Sequence, residues 1–327
     1  MRRRDFTALI VVGTTMWPFN IHAQQSRKMP RIGVLLPGGL VSSSPRTKAF
    51  LEGLRELGYV EGRTIAIEWK WGNDQVDTFS GLAADLVRSN VDVIVTGGTP
   101  SAQALKAATR TIPIVVAVVG DPVAAGLVNN LARPGENVTG FSIVAPELGT
   151  KRLELVKEIV PNLSSIAVLL NPKNPQSKIE MKEMQTAAQA MGLRLHMAEI
   201  STEGELGDAF VAMNKAAAQA LILLTDSIFF SERKRIVDLA SKYKLPAMYF
   251  FQVFVEEGGL MSYGPSDADL FRRAAGYVDR ILKGTKPGEL PVEQPTKFDL
   301  YINLSTAKTL GVTIPESFVA RAAKVIE

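Results

Sequence analysis

From Arg31 onward, short runs of apolar, β-branched residues alternate with stretches in which apolar positions recur every three or four residues. Arg31-Ile32-Gly33-Val34-Leu35-Leu36 predicts a buried strand, and Pro45 to Leu57 the helix after it, closed by Gly58. Thr64 to Trp69 alternates as a strand. Phe79 to Ser89 predicts a helix with Leu82, Ala83, Leu86 and Val87 on one stripe. Val91 to Val95 is a third strand with its helix from Ser101 to Thr109. Ile112 to Val119 is a fourth, followed by a helix from Pro122 to Leu131, and Val138 to Phe141 ends the block. Continuous Val/Ile/Leu strands separated by helices predict an α/β fold whose parallel sheet is covered on both faces.

The pattern then begins again. A helix from Glu147 to Val160 leads to the strand Ser165 to Leu170, and a helix from Ser177 to Met191 to the strand Leu193 to Ala198. A helix over Leu206 to Ala217 precedes the strand Ala220 to Leu224, and Glu232 to Lys242 precedes Pro246 to Phe250. Gly259 to Tyr263 adds one more strand. Ala268 to Leu282 predicts a long amphipathic helix. A proline-bearing segment from Lys286 to Pro295, a strand from Phe298 to Asn303 and a helix from Ser305 to Leu310 follow. One helix and one strand cannot bury a core of their own, so the helix is expected to return to the first block and the strand to the second. The expected division is residues 29–145 plus 264–290 as lobe one and 146–263 plus 291–327 as lobe two, joined by a multi-strand hinge.

The first 23 residues fall outside this rhythm. Arg2, Arg3 and Arg4 precede Asp5 and Phe6, an uncharged stretch runs from Thr7 to Ile21, and Ala23 ends it before a polar run. This order predicts a cleaved export signal over residues 1–23, and Arg3-Arg4-Asp5-Phe6 matches a twin-arginine signal. The 15-residue middle is too short and too interrupted to span a bilayer, which takes about 20 apolar residues. The leader carries +2 of the formal charge of +4, so the basic balance gives little support for a nucleic-acid partner. The absence of cysteine excludes disulfide staples and a lipoprotein anchor, which leaves a soluble periplasmic protein as the expectation.

Catalytic machinery is sparse. The chain has two histidines, His22 in the leader and His196 inside a predicted strand. No metal-ligand spacing, Walker loop or dinucleotide fingerprint occurs. The expectation is therefore no enzyme activity, no metal and no cofactor. Polar turns do occur at the C-terminal ends of strands, where open α/β sheets bind ligands. Thr96-Gly97-Gly98-Thr99-Pro100-Ser101 places Thr99 as an N-cap and Pro100 at the first helical position, so helix-start N–H groups near Thr99 and Ser101 suit a carboxylate. Gly120-Asp121-Pro122 sets Asp121 beside it; capping its own helix is the alternative role. Gly38 ends the first strand, with Ser42 to Ser44 following. In the second block Asn171, Asp226 and Tyr263 end strands in the same way. Two acids without a committed arginine favour an ammonium near Asp121 or Asp226, hence an amino-acid-like zwitterion, with a sugar-like ligand as the alternative.

Several segments carry a resemblance: Asp92 to Pro100, Gly120-Asp121-Pro122 with Leu131 to Gly135, Asn137 to Gly140, Ser262 to Pro265, and Leu290 to Phe298. The chain resembles the periplasmic solute-binding proteins of ABC importers, of the type-I periplasmic class, in the subfamily related to tryptophan-binding proteins. The resemblance implies two Rossmann-like lobes that close on a small molecule and present it to an inner-membrane permease. The expected molecule is a monomeric binding protein for an amino-acid-like solute. A periplasmic sensor feeding a membrane receptor or kinase is the alternative.

Overall fold

In a computed structural model, residues 29–39, 45–73, 75–143 and 145–327 are described, with the side chains of 145–147 set aside. The predicted export signal and Ser42 to Ser44 lie outside the described residues. The first sheet is built from β1 (Arg31–Leu36), β2 (Ala66–Trp71), β3 (Val93–Gly97), β4 (Ile114–Val119) and β5 (Val138–Ser142), interleaved with α1 (Pro45–Glu56), α2 (Phe79–Arg88) and α3 (Thr99–Ala108). Its order is β2-β1-β3-β4-β5, with every pairing parallel. β3, β4 and β5 are buried along their whole length, as sheets covered on both faces require.

The second sheet follows the same logic. α4 (Ala145–Ile159), β6 (Ser165–Leu170), α5 (Pro175–Ala190), β7 (Arg194–Glu199), α6 (Leu206–Lys215), β8 (Ala220–Leu223), α7 (Ser227–Ser231), α8 (Arg233–Lys242), β9 (Ala247–Tyr249), α9 (Val253–Glu256) and β10 (Met261–Gly264) come first. α10 (Asp267–Leu282) then lies against α1 and β4 of the first sheet. β11 (Asp299–Asn303) pairs antiparallel with β10, and α11 (Leu304–Leu310), α12 (Glu316–Val319) and β12 (Lys324–Ile326) complete the order β12-β11-β10-β9-β8-β6-β7. Between α10 and β11, residues 290–293 run along β5: the Glu293 amide donates to the Gly140 carbonyl at 2.9 Å and the Thr139 hydroxyl to the Leu290 carbonyl at 2.7 Å.

In each sheet the strand order reverses beside its first strand, between β1 and β3 and between β6 and β8. Crevices at such switch points are where this architecture takes ligands. The two switch points face each other across one cleft.

Three local expectations change. Pro122 to Leu131 is not a helix but a chain of turns. Asp121 Oδ1 accepts from the Val123 and Ala124 amides, and Gly126 at φ +69° ends the first turn, where only glycine bends the chain at no steric cost. The second strand runs Ala66–Trp71 rather than Thr64 to Trp69, because Thr64 is held in a turn by its amide to Val60 O and its hydroxyl to Gly58 O. Finally, β12 and the short helices α7, α9 and α12 were carried by no periodic signal, being three to five residues long.

Candidate functional site

On the first lobe, β3 ends in Gly97 and Gly98. Gly98, at φ +100°, is the N-cap of α3, so Thr99 is the first helical residue rather than the cap, and no side chain caps this end. Thr99 and Pro100 line the cleft. Ser101 turns away from it. Its hydroxyl is fully buried, 3.0 Å from the Gly97 and Gly98 carbonyls and 2.9 Å from Thr96 Oγ1, and it holds the β3–α3 turn in shape. Asp121 caps the turns that replace its helix and is not among the residues lining the cleft.

On the second lobe, the residues after β6 and β8 interlock. Asn174 N-caps α5 through the Gln176 amide at 3.1 Å, and Asp226 N-caps α7 through the Ile228 amide at 2.9 Å. The other Asp226 oxygen accepts from Asn171 Nδ2 at 3.2 Å and Asn174 Nδ2 at 2.9 Å. All three residues are buried, and Asp226 itself lines the cleft. Burial pushes the Asp226 carboxyl above the usual carboxylate range, against the pull of these three donors. Beside it, the Thr225 hydroxyl is buried in the cleft wall and has no hydrogen-bond partner among the described residues, while the Gln176 side chain takes the Asp121 amide on Oε1 and lies against the Glu180 carboxylate. Buried polar atoms are normally paired, so this wall is shaped for a polar ligand.

Among the interlobe contacts of the described residues, which include an ion pair of Lys173 with Asp77 at 3.7 Å, two flank the cleft directly. Gln176 Oε1 of lobe two accepts from the Asp121 amide of lobe one at 3.1 Å. Gly120 makes room for it, because a Cβ there would fall 2.2 Å from Gln176 Cδ. The second contact is the guanidinium of Arg46, on α1, 3.4 Å over the ring of Phe230 on α7. Arg46 lies between two compartments. One is lined by Gly98, Thr99, Asn174, Gln176, Asp226 and Phe251, and the other by Leu36, Gly38, Trp71, Phe230 and Arg233. A larger crevice lined by Lys106, Arg110, Glu136 and Lys286 lies on the flank of lobe one, remote from the strand ends, and brings together none of these groups.

Under the cleft floor, Arg152 on α4 and Glu180 on α5 are fully buried. Arg152 Nε donates to the Tyr263 carbonyl at 2.9 Å. Desolvation lowers its pKa to about 10 and raises that of Glu180 to about 7, with the Arg152 charge opposing the second shift.

Of the residues expected from sequence, Thr99 and Asp226 face one another across the cleft, with Asn171 behind Asp226 and Gly38 in the neighbouring compartment. Tyr263 does not join them: its ring lies tilted on Phe298, 6.2 Å between centroids. Sequence reasoning missed Arg46, Asn174, Gln176 and Phe230. Asn174-Pro175 was a readable helix start. A lone arginine or glutamine on a helix carries no comparable signal.

Residues 42–326 match the family described as ABC transporter substrate binding protein. The chain belongs to that family. Similar to it is a tyrosine-binding protein of Clostridioides difficile, 30% identical over 287 residues, spanning 88% of this chain and 82% of that one. A Vibrio cholerae conserved domain protein aligns at 33% identity and TM-score 0.85, covering 91% of this chain and all of the other. An ABC domain from Streptococcus pneumonia in complex with L-Trp aligns at 29% identity and TM-score 0.84, with the same coverage. A ligand-free, open substrate-binding protein from Clostridium difficile, at 27% identity and covering 91% of this chain and 99% of its own, aligns at only 0.63. The chain therefore superposes better on the L-Trp complex than on the ligand-free, open structure, and its own lobes meet across the cleft at Gln176 and Arg46. Among the described residues no helix is long and apolar enough to cross a membrane.

Proposed function

We propose that the protein is the periplasmic, exported binding component of an ABC importer, and that it captures an amino acid with a large apolar side chain between its lobes without performing chemistry on it. The observation that carries this reading is the wall formed by Asp226, Gln176 and the unpartnered Thr225 hydroxyl, facing the uncapped start of α3. The α-carboxylate is placed at the α3 start by Thr99, where N–H groups and the helix dipole favour an anion. The ammonium is placed on Asp226, which accepts it as a charge-assisted hydrogen bond. Asp121, engaged in its turn, is given no ligand contact.

The side chain then lies along Phe250 and Phe251, toward the compartment walled by Leu36, Trp71 and Phe230. That related proteins are named for tyrosine or hold L-Trp supports the size of this group. The division we propose keeps residues 29–145 and 264–290 in lobe one and 146–263 in lobe two, and moves the start of the last lobe-two segment from 291 to beyond 293, because residues 290–293 run along β5 and Val292 packs in the lobe-one core. The molecule acts as a monomer, after removal of residues 1–23 by the twin-arginine or the general route, and delivers its ligand to an inner-membrane permease. Deleting the gene should abolish high-affinity uptake of labelled L-tryptophan or L-tyrosine by cells. Undiminished uptake with loss of a transcriptional response to the same amino acid would support a sensor instead.

A further inference from the structure

Arg46 is anchored on lobe one. Its Nε donates to Asp267 Oδ2 at 2.7 Å, Asp267 is 3% exposed, and α10, which begins at Asp267, packs on α1. What lies over the guanidinium comes mostly from lobe two. Phe230 on α7 is 3.4 Å from it and Phe251, after β9, is 5.3 Å away; Phe271 of α10 completes the ring of aromatics at 5.8 Å. The flat, weakly hydrated guanidinium suits an aromatic face as an ammonium would not. Phe230 and Phe251 belong to the second lobe, whereas Asp267, which holds Arg46, belongs to the first.

We propose that Arg46 is a closure latch: Asp267 holds it aimed across the cleft in either state, and its cation–π contact with Phe230, made only when the lobes close, helps set the affinity for the captured amino acid. Arg46 is thus a positioning residue for capture, and Asp267 positions Arg46. The proposal rests on the amino-acid reading for its ligand, but its geometry does not depend on which amino acid is bound. The attraction is strongest where water is excluded, and the Arg46 side chain is only 16% exposed in the closed arrangement. Contacts present in one state alone are those that shift an equilibrium between two states.

The test is a double-mutant cycle between Arg46→Met and Phe230→Leu, read by titration calorimetry with L-tryptophan. A parallel readout is the interlobe distance between spin labels on cysteines introduced at the exposed Arg88 and Lys182 of a chain that has none. Each single variant should weaken L-tryptophan binding by about 3- to 30-fold and shift the distances toward the longer, open population. The double variant should lose little more than either alone. Phe230→Leu leaves the Arg46–Asp267 pair intact, so it decides the matter even if Arg46→Met folds poorly. Additive losses in the cycle, or an unchanged distance distribution in Phe230→Leu, overturn the latch. If L-tryptophan binds no variant and not the parent, the amino-acid reading falls, while the ligand-free distances still decide the latch.

Discussion

At pH 8, Glu180→Gln should stabilise the protein by about 2–3 kcal/mol, and at pH 5 it should change stability little. Breaking a buried ion pair usually costs about 3–5 kcal/mol, because one charge is left without its partner. Here the balance runs the other way. Glu180 is fully buried beside Arg152, and the Thr225 amide and the Gln176 side chain are the other groups that favour its charged form. Desolvation outweighs the attraction of Arg152 and lifts the carboxyl from 4.5 to about 7. The unfolded chain therefore ionises first as the pH rises, so this group's contribution to stability is greatest below 4.5 and declines as the pH climbs to 7. Glutamine has the shape of the protonated acid and does not take part in that decline. Denaturant unfolding of both proteins at pH 5 and pH 8 checks this. A parent protein whose stability is flat over that range, or a variant weaker at pH 8, would show that the buried pair is held as ions.

The second large effect is on binding. Asp226→Asn should weaken an amino-acid ligand by about 10- to 150-fold, the range for losing a hydrogen bond to a charged group. The carboxylate is the only acid that lines the cleft wall among the described residues, and it is braced by Asn171, Asn174 and the Ile228 amide. Because burial raises its pKa, affinity should also fall on acidification as the carboxylate takes up a proton. The amide turns one N–H group toward existing donors, so a loss of folding stability of about 1–3 kcal/mol accompanies the loss of affinity. Asp121→Asn separates the two acids: with Asp121 confined to its turn, affinity should stay within about twofold of the parent, below the size of one ordinary hydrogen bond. Calorimetric titration of both variants, with melting temperatures, gives the comparison. Equal losses at the two positions would return Asp121 to the site.

The layered α/β plan was legible because parallel strands are buried on both faces, and Val93 to Thr96 or Ile166 to Leu170 can read no other way. The same periodicity located the switch points, and with them Thr99 and Asp226. It failed where one residue's local chemistry outweighs periodicity, as when Asp121 and Gly126 fold Pro122 to Leu131 into turns. It failed again for groups that acquire meaning only across the cleft. Arg46 and Phe230 are 184 positions apart in the chain and meet because two lobes close, which no local pattern encodes. Ser101 shows the reverse: its place in the turn was readable, but not that Gly97, Gly98 and Thr96 would claim its hydroxyl.

In the proposed mode of capture, one cleft recognises both ends of an amino acid and its side chain at once. Thermal unfolding in the presence of L-tryptophan, tryptamine and indole-3-propionate tests it most directly, since a ligand that binds only the folded state raises the melting temperature with its concentration. A clear rise is expected with L-tryptophan, and a much smaller one with tryptamine, which lacks the carboxylate for the α3 start, and with indole-3-propionate, which lacks the ammonium for Asp226. A rise with indole-3-propionate as large as with L-tryptophan, or no rise with any amino acid, would contradict it.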